Sequence, residues 1–385
     1  CFLSRIHFQK AILSSPEALI LMSKVEIKRI KTDGHEVVFG RHCLAEMAEL
    51  LSGESYRGVK IFILADENTL SNCLPAMISK VPRLEGAEVI EIESGEESKS
   101  FEVVSRVWEV LTELGADRSS IMVNLGGGVI TDLGGFIAGT FKRGIRFINI
   151  PTSLLAMVDA SIGGKTGINH SGLKNEVGLF NNPQGVYVDP SFLETLPKAH
   201  VLSGFAEMVK HALIFSPGYW KELQEVSLLD LPSLDNGIYR SIEIKNQIAS
   251  SDPYETGRRK ILNFGHTIGH ALEAYSHESD VKILLHGEAI AIGMVCEAFI
   301  SRKIDGLPEK QLEEISSFIF SLFPKVGLDS FTYHRLIELM RHDKKNSDER
   351  MNFTLLPEIG DAVFDRDTQA DTVIDSLNYY QRWVG

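Results

Sequence analysis

The chain has 385 residues, 44% hydrophobic and 24% charged, with a net charge of −13. That length and apolar content exceed what one simple core needs and point to two domains. The acidic balance excludes a protein built around a basic nucleic-acid surface, and no apolar run of about 18 residues is present that would predict a transmembrane helix.

The first 21 residues, "CFLSRIHFQKAILSSPEALIL", begin on Cys1 and show no strand–helix pattern. The apolar run "ALILM" is too short for a signal-peptide core. Residues 1–21 are therefore expected to be a dispensable tail, with Met22 as the functional start. Strands and helices then alternate. "VKIFILAD" (59–66), "AEVIEIESG" (87–95), "SIMVNLGGG" (120–128) and "RFINIPTS" (146–153) read as short buried strands, separated by helical patterns such as "SFEVVSRVWEVLTELG". This alternation predicts a parallel sheet covered by helices. From about residue 191 long helical patterns follow one another, as in "GFAEMVKHALIF", "GIYRSIEIKNQIASS" and "GEAIAIGMVCEAFISRK", until the strand-like "MNFTLLP". The expected division is an α/β domain over 22–190 and a helical domain over 191–385. Cys1, Cys43, Cys73 and Cys296 are scattered without a CxxC pair, and read as free thiols of a reducing cytoplasm.

"NLGGGVITDLGGFIAG" (124–139) follows a strand and opens a helix. Glycine lets backbone N–H groups approach a phosphate, and a helix N-terminus favours its charge. In α/β sheets such a loop lies at the carboxyl end of the strands, where ligands bind. A dinucleotide pyrophosphate suits it, although the spacing is not GxGxxG; a tight strand–helix turn would need the same glycines. Asp66 and Asn68, after the first strand, stand where a ribose hydroxyl would be met.

"TFKRGIRF" and "VDASIGGKTGINHSGLKNEVG" hold Arg143, Lys165, Lys174 and Asn175. The second stretch has little periodicity and reads as a functional loop. Cations gathered there in an acidic chain suggest a phosphate or carboxylate site; taken singly they would equally serve as solvated surface residues.

The segment 263–293 carries His266, His270, His277 and His286, a third of the chain's 12 histidines. "HTIGH" puts His266 and His270 on one helix face, and "AEMVKHAL" does the same for Glu207 and Lys210. His286 opens the next helix. Two or three imidazoles with a carboxylate suit Zn²⁺ and leave a position open for substrate. Without HExxH, a zincin peptidase is not indicated. Core histidines satisfied by hydrogen bonds are the alternative. His277, in "AYSHESD", is placed in a polar loop and matches no motif.

Eight segments in order, "GEESKS", "GGGVITDLGGFIAGTFKRG", "IPTSLLAMVDASIGGKTGINHSGLKNEVGLF", "PQGVYVDPSFLETLP", "SGFAEMVKHALI", "EIKNQIASSDPYETGRRKILNFGHTIGHALEA", "LHGEAIAIGM" and "RHDKKN", cover most of residues 60–350. Together they resemble the 3-dehydroquinate synthase family of the sugar-phosphate cyclase superfamily. The resemblance implies a Rossmann-like α/β domain that binds NAD, an all-α domain that binds one divalent metal (Zn²⁺, or Co²⁺), and an active site in the cleft between them. It implies conversion of 3-deoxy-D-arabino-heptulosonate 7-phosphate to 3-dehydroquinate and phosphate in the shikimate route. It further implies a cytoplasmic homodimer whose partner is a small sugar phosphate, with no nucleic-acid or membrane partner.

By the same resemblance, Asp66, Asn68, Glu96, Lys99, Gly127, Gly128, Asp132, Thr152 and Ser153 match cofactor-binding positions. Arg143, Asp159, Lys165, Lys174, Asn175, Lys210, Lys245, Arg259, Asn263 and His266 match the substrate site, together with one of Lys344 and Lys345. The metal ligands implied are Glu207, His270 and His286, with His266 beside the substrate. Other cyclases of the superfamily, iron-type alcohol or glycerol dehydrogenases, and a non-catalytic NAD- or metal-binding homologue share parts of this pattern. Asn263 and "DKK" (343–345) speak against the first, "AEMVK" and "GGGVITDLGG" against the second, and the intact ligand and lysine set against the third.

Overall fold

A computed structural model describes residues 27–384, except 33, 172, 279–282, 329 and 343–350. The tail 1–21 and the Lys344/Lys345 pair lie outside the described residues. The strands of the first half are β1 (Lys28–Lys31), β2 (Glu36–Phe39), β3 (Ile61–Asp66), β4 (Glu88–Ile92), β5 (Ile121–Gly126), β6 (Arg146–Pro151), β7 (Lys165–His170), β8 (Leu173–Phe180) and β9 (Val186–Val188). Seven of them form one sheet in the order β1-β2-β9-β6-β5-β3-β4. Every ladder in it is parallel except β1 with β2.

The central strands read as continuous apolar runs because both faces are covered. Ile61, Ile63 and Ala65 face one core, while Phe62 and Leu64 face another, as the two-residue repeat of a strand requires. The helices here are α1 (Leu44–Ser52), α2 (Glu67–Asn72), α3 (Leu74–Lys80), α4 (Phe101–Glu113) and α5 (Gly128–Thr140). Val104, Val107 and Leu111 of α4 and Leu133 and Phe136 of α5 cover Phe62 and Leu64. Met47 and Leu51 of α1 and Met77 of α3 join the opposite core. Each large apolar side chain so buried contributes about 1.5–3 kcal/mol.

The glycine-rich stretch expected as a loop contains a two-stranded antiparallel hairpin, β7 with β8, in which Gly167 pairs with Gly178. Its strands lack an alternating apolar pattern because β8 is largely open, with Val177, Leu179 and Phe180 exposed, while β7 packs on α5.

After β9 the chain is mainly helical: α6 (Lys198–Phe215), α7 (Pro217–Gln224), α8 (Asp235–Ser251), α9 (His266–Glu278), α10 (His286–Ile304), α11 (Glu309–Leu322), α12 (Ser330–His342) and α13 (Ala370–Arg382). An antiparallel hairpin, β10 (Met351–Glu358) with β11 (Asp361–Thr368), lies between the last two, so this half is helical with one hairpin inserted. His277 belongs to the last turn of α9 rather than to a polar loop; no glycine or proline interrupts "HALEAYSHE". Among the described residues no helix is long and apolar enough to cross a membrane. Cys43, Cys73 and Cys296 are buried free thiols.

Candidate active site

The cofactor residues expected from the resemblance follow the carboxyl ends of four adjacent parallel strands. Asp66 and Asn68 follow β3, Glu96 and Lys99 follow β4, Gly127, Gly128 and Asp132 follow β5, and Thr152 and Ser153 follow β6. Gly127 is the N-cap of α5 and offers no capping side chain, so no N-cap side chain occupies the first N–H groups of that helix. A Cβ at Gly127 would lie 3.3 Å from Ser153 Oγ. Thr152 N–H donates to Gly126 O at 3.0 Å, tying the two strand ends together. Asp66 caps α2, accepting from Thr69 N–H at 2.8 Å, which commits one carboxylate oxygen. Lys99 is buried and donates to Asp132 at 2.7 Å and also to Asn175. Burial opposes its charge, but Asp132 and Glu96 outweigh burial and raise its pKa. Glu96 accepts from Asn169 Nδ2 at 2.8 Å.

Three helices meet beside this edge. Their backbones approach closely because glycine stands at the crossings: a Cβ on Gly293 would lie 2.0 Å from Gly265 O, and one on Gly287 2.1 Å from Ser203 O. Glu207 of α6 is thereby brought to His266 and His286, the first residues of α9 and α10. His286 Nε2 lies 3.2 Å and His266 Nε2 3.7 Å from Glu207 Oε1. The other ring nitrogens are engaged elsewhere. His266 Nδ1 is 3.1 Å from Phe264 O, and His286 Nδ1 is 3.3 Å from Glu273 Oε2. Imidazoles that ligate a metal are held in this way, one nitrogen on an acceptor and the other free.

The ligand atoms of Glu207, His266 and His286 lie within 4.8 Å of one another, whereas His270 is grouped with Glu273 and His286. The trio implied by the resemblance, Glu207, His270 and His286, forms no such group among the described residues. His266 and His270 exchange places relative to that expectation. His266 faces Glu207 from the start of α9, and His270 is carried one turn on to an exposed position. Asp159, Glu207 and His211 form a third group, but Lys210 and Lys245 bring two ammonium groups to its carboxylates.

The electrostatics follow from these neighbours. Burial alone would raise the Glu207 carboxyl; Lys210, His266 and His286 together outweigh burial and hold it well below the ordinary range. Burial opposes charge on His286, yet its contacts with Glu207 and Glu273 push it up to about 10. Burial and then Lys210 keep His266 well below its ordinary value.

Asp159 sits in a π-helical turn (Ala156–Ala160) after β6. Its Oδ1 lies 2.6 Å from Lys245 Nζ, 3.6 Å from His211 Nε2 and 3.9 Å from Lys210 Nζ. Burial would raise its carboxyl, but the two lysines outweigh that and hold it well below the carboxylate range. Lys165, on the hairpin, pairs with Glu255, whose Oε1 accepts from Asn263 at 3.1 Å. Lys174 lies 2.7 Å from Glu273 Oε1. Buried Arg259 donates to Pro253 O at 2.8 Å and to Gly163 O at 3.0 Å, fastening the hairpin's entry to the helical half.

Arg143 is not brought here. It precedes β6, which starts at Arg146 opposite Ile121 and ends at Pro151 opposite Gly126. Because α5 runs back against the strands, the residues after it land at the opposite edge, roughly 15–20 Å away by strand rise. Three residues enter the site without having been singled out in the sequence. Glu273 stands seven positions after His266 on one helix face, a spacing that could have revealed it. Glu255 and His211 offered no such signal; each acquires its neighbours only through the tertiary fold.

Two solved structures share this architecture. A 2-deoxy-scyllo-inosose synthase complexed with carbaglucose-6-phosphate, NAD⁺ and Co²⁺ superposes with a TM-score of 0.80 at 24% identity, covering 93% of this chain and 100% of that one. A 2-epi-5-epi-valiolone synthase from Streptomyces hygroscopicus subsp. jinggangensis with NAD⁺ and Zn²⁺ gives 0.79 at 24% identity, covering 92% and 99%. The chain therefore has the fold of the sugar-phosphate cyclases. The family models for the N-terminal and C-terminal parts of 3-dehydroquinate synthase match residues 89–203 and 204–346. The 3-dehydroquinate synthase of Parabacteroides distasonis is 42% identical over 352 residues, which is 91% of this chain and 99% of that one. This chain belongs to the 3-dehydroquinate synthase family.

Proposed function

We propose that the chain converts 3-deoxy-D-arabino-heptulosonate 7-phosphate to 3-dehydroquinate and phosphate, as an NAD- and metal-dependent lyase. The observation that carries this reading is the convergence of Glu207, His266 and His286 beside Asp159, Lys210 and Lys245, at the edge where the glycine loop opens α5. When bound, NAD supplies reversible oxidation of a carbinol, and a divalent metal, Zn²⁺ or Co²⁺, supplies Lewis acidity toward neighbouring hydroxyls.

Asp66, Asn68, Glu96, Lys99, Gly127, Gly128, Asp132, Thr152 and Ser153 would hold the dinucleotide. Glu207, His266 and His286 would hold the metal, each imidazole through Nε2. Lys165 is exposed enough to exchange Glu255 for a substrate phosphate, a charge-assisted contact. Asn263, on the same glutamate, orients a substrate hydroxyl. Lys210 and Lys245 keep positive charge near the substrate's carboxylate, and Asp159 holds both ammonium groups in place. Lys174, Asn175 and Arg259 fix the hairpin over the cleft. His270, exposed and one turn from His266, moves a proton at a substrate hydroxyl. The substrate carries anionic groups at both ends, which accounts for local cations in a chain of net charge −13. The same reading has the enzyme act as a cytoplasmic homodimer, without nucleic acid or membrane.

The test is incubation of the purified protein with the heptulosonate phosphate, NAD and Zn²⁺, with the product identified by mass and NMR. Formation of 3-dehydroquinate is expected. A different carbocycle, or turnover indifferent to NAD, would reject the proposal.

A further inference from the structure

Glu273 lies on α9, three residues beyond His270, with only 6% of its side chain exposed. Its two oxygens serve different partners: Oε2 lies 3.3 Å from His286 Nδ1, and Oε1 lies 2.7 Å from Lys174 Nζ. One partner opens α10; the other stands on strand β8 of the hairpin. We propose that Glu273 is a positioning residue that joins the metal site to the β7–β8 hairpin, orienting His286 with one oxygen and holding Lys174 with the other. This inference rests on the reading of Glu207, His266 and His286 as metal ligands.

The physical argument starts from the imidazole. Both ring nitrogens of His286 face carboxylates; a metal that takes Nε2 displaces the proton there, and the ring's remaining proton stays on Nδ1, where Glu273 accepts it. Nε2, the nitrogen turned toward Glu207, is then left with its lone pair, and the carboxylate makes that lone pair more basic. Lys174 completes the arrangement by balancing the charge of this buried carboxylate. Glu273 therefore sets the direction of one metal ligand and the place of one hairpin cation together. Two consequences follow. Removing Glu273 should weaken metal binding even in the absence of substrate. Removing either Glu273 or Lys174 should also loosen the sugar phosphate, and the two losses should overlap because they break one link.

The experiment measures Zn²⁺ affinity of the purified protein by competition with a chromogenic chelator, without substrate, for wild type, Glu273→Ala, Glu273→Gln, Lys174→Met and His286→Ala. Glu273→Ala is expected to weaken Zn²⁺ binding about 10–100-fold. Glu273→Gln, which keeps an acceptor oxygen without its charge, should fall between it and wild type, and Lys174→Met should stay close to wild type. In Co²⁺-loaded protein the visible absorption bands of Glu273→Gln should differ from those of wild type, reporting a reoriented ligand. KM for the sugar phosphate should rise in Glu273→Ala and in Lys174→Met, with little further rise in the double variant. Wild-type Zn²⁺ affinity in Glu273→Ala alongside metal loss in His286→Ala would overturn this inference alone. Wild-type affinity in His286→Ala would overturn the metal reading beneath it. If Glu273→Ala does not fold, Glu273→Gln decides, and unchanged affinity and Co²⁺ bands in that variant overturn the inference.

Discussion

His266 and His270 stand edge to face on α9, their ring centroids 5.0 Å apart, yet only His266 points Nε2 at Glu207. The two residues should therefore respond differently to replacement. His266→Ala and His286→Ala should lose bound metal, because two remaining ligands cannot complete the coordination shell. His270→Ala should keep its metal and lose rate, by about 10²–10⁴-fold for a missing acid–base group. Metal content by elemental analysis, followed by assay with and without added Zn²⁺, separates them. Metal retained in His266→Ala and lost in His270→Ala would restore the trio that the family resemblance implies.

Lys165 supports a second prediction. It opens the hairpin strand β7, and its ammonium pairs with Glu255, a partner that a phosphate can replace in the proposed reaction. Lys165→Ala should lower kcat/KM by about 10–10²-fold, the cost of a charge-assisted contact, while the NAD Kd measured by fluorescence titration stays near wild type. Wild-type kcat/KM in this variant would remove Lys165 from the phosphate site.

A third concerns pH. Burial, only partly offset by Asp159, pushes Lys245 down to about 8. The ammonium form thus prevails below pH 8 and is lost above it, so kcat/KM should fall as the pH rises through that value in the free enzyme. Lys245→Arg keeps its charge at every accessible pH, and its alkaline limb should move upward even if its rate is lower. The stability linkage has the opposite sign. The unfolded chain holds this proton to near 10.4, so between the two values the folded state binds fewer protons and the cost of burying Lys245 shrinks as pH rises. A wild-type profile that stays flat well above pH 8 would exclude the assignment.

The fourth concerns Glu297, buried in α10 against the start of α9. Its carboxylate accepts from Gly265 N–H at 2.6 Å and Ile268 N–H at 3.2 Å. Glu297→Ala would strand both donors, each at a cost of about 1–3 kcal/mol, in the turn that carries His266. A lower Tm by calorimetry is expected, with only part of the loss recovered in Glu297→Gln, whose single amide oxygen can accept from one of the two N–H groups while its NH2 faces the other. An unchanged Tm in Glu297→Ala would show that this turn stands without it.

The sheet's centre was legible because the apolar runs of "IFILAD" and "IMVNLG" state their double-sided burial. The three-residue β9 was too short to read, and the β7–β8 hairpin hid behind glycines that pair across its strands, of which β8 is largely open. In the site, the glycine loop, the lysines and His266, His270 and His286 could be found by type and spacing. The choice between His266 and His270 could not, since positions four apart share a helix face and the decision rests on where Glu207 stands after α6 has packed. Arg143 illustrates the same limit: its neighbours in sequence serve the site, but helix α5 delivers it to the far edge of the sheet.

The core beneath the sheet does not stop where the strands end. Ile63, Val123 and Ile148 belong to the same buried cluster as Met208 of α6, Val295 of α10 and Leu377 of α13, whereas the residues under α4 and α5 form a separate one. The change from strands to helices near residue 190 is thus a change of architecture without a seam in the packing. Such a molecule should melt as one cooperative unit, with a single calorimetric transition for both halves. Partial opening should begin instead in the layer of α4 and α5, whose apolar contacts are its own.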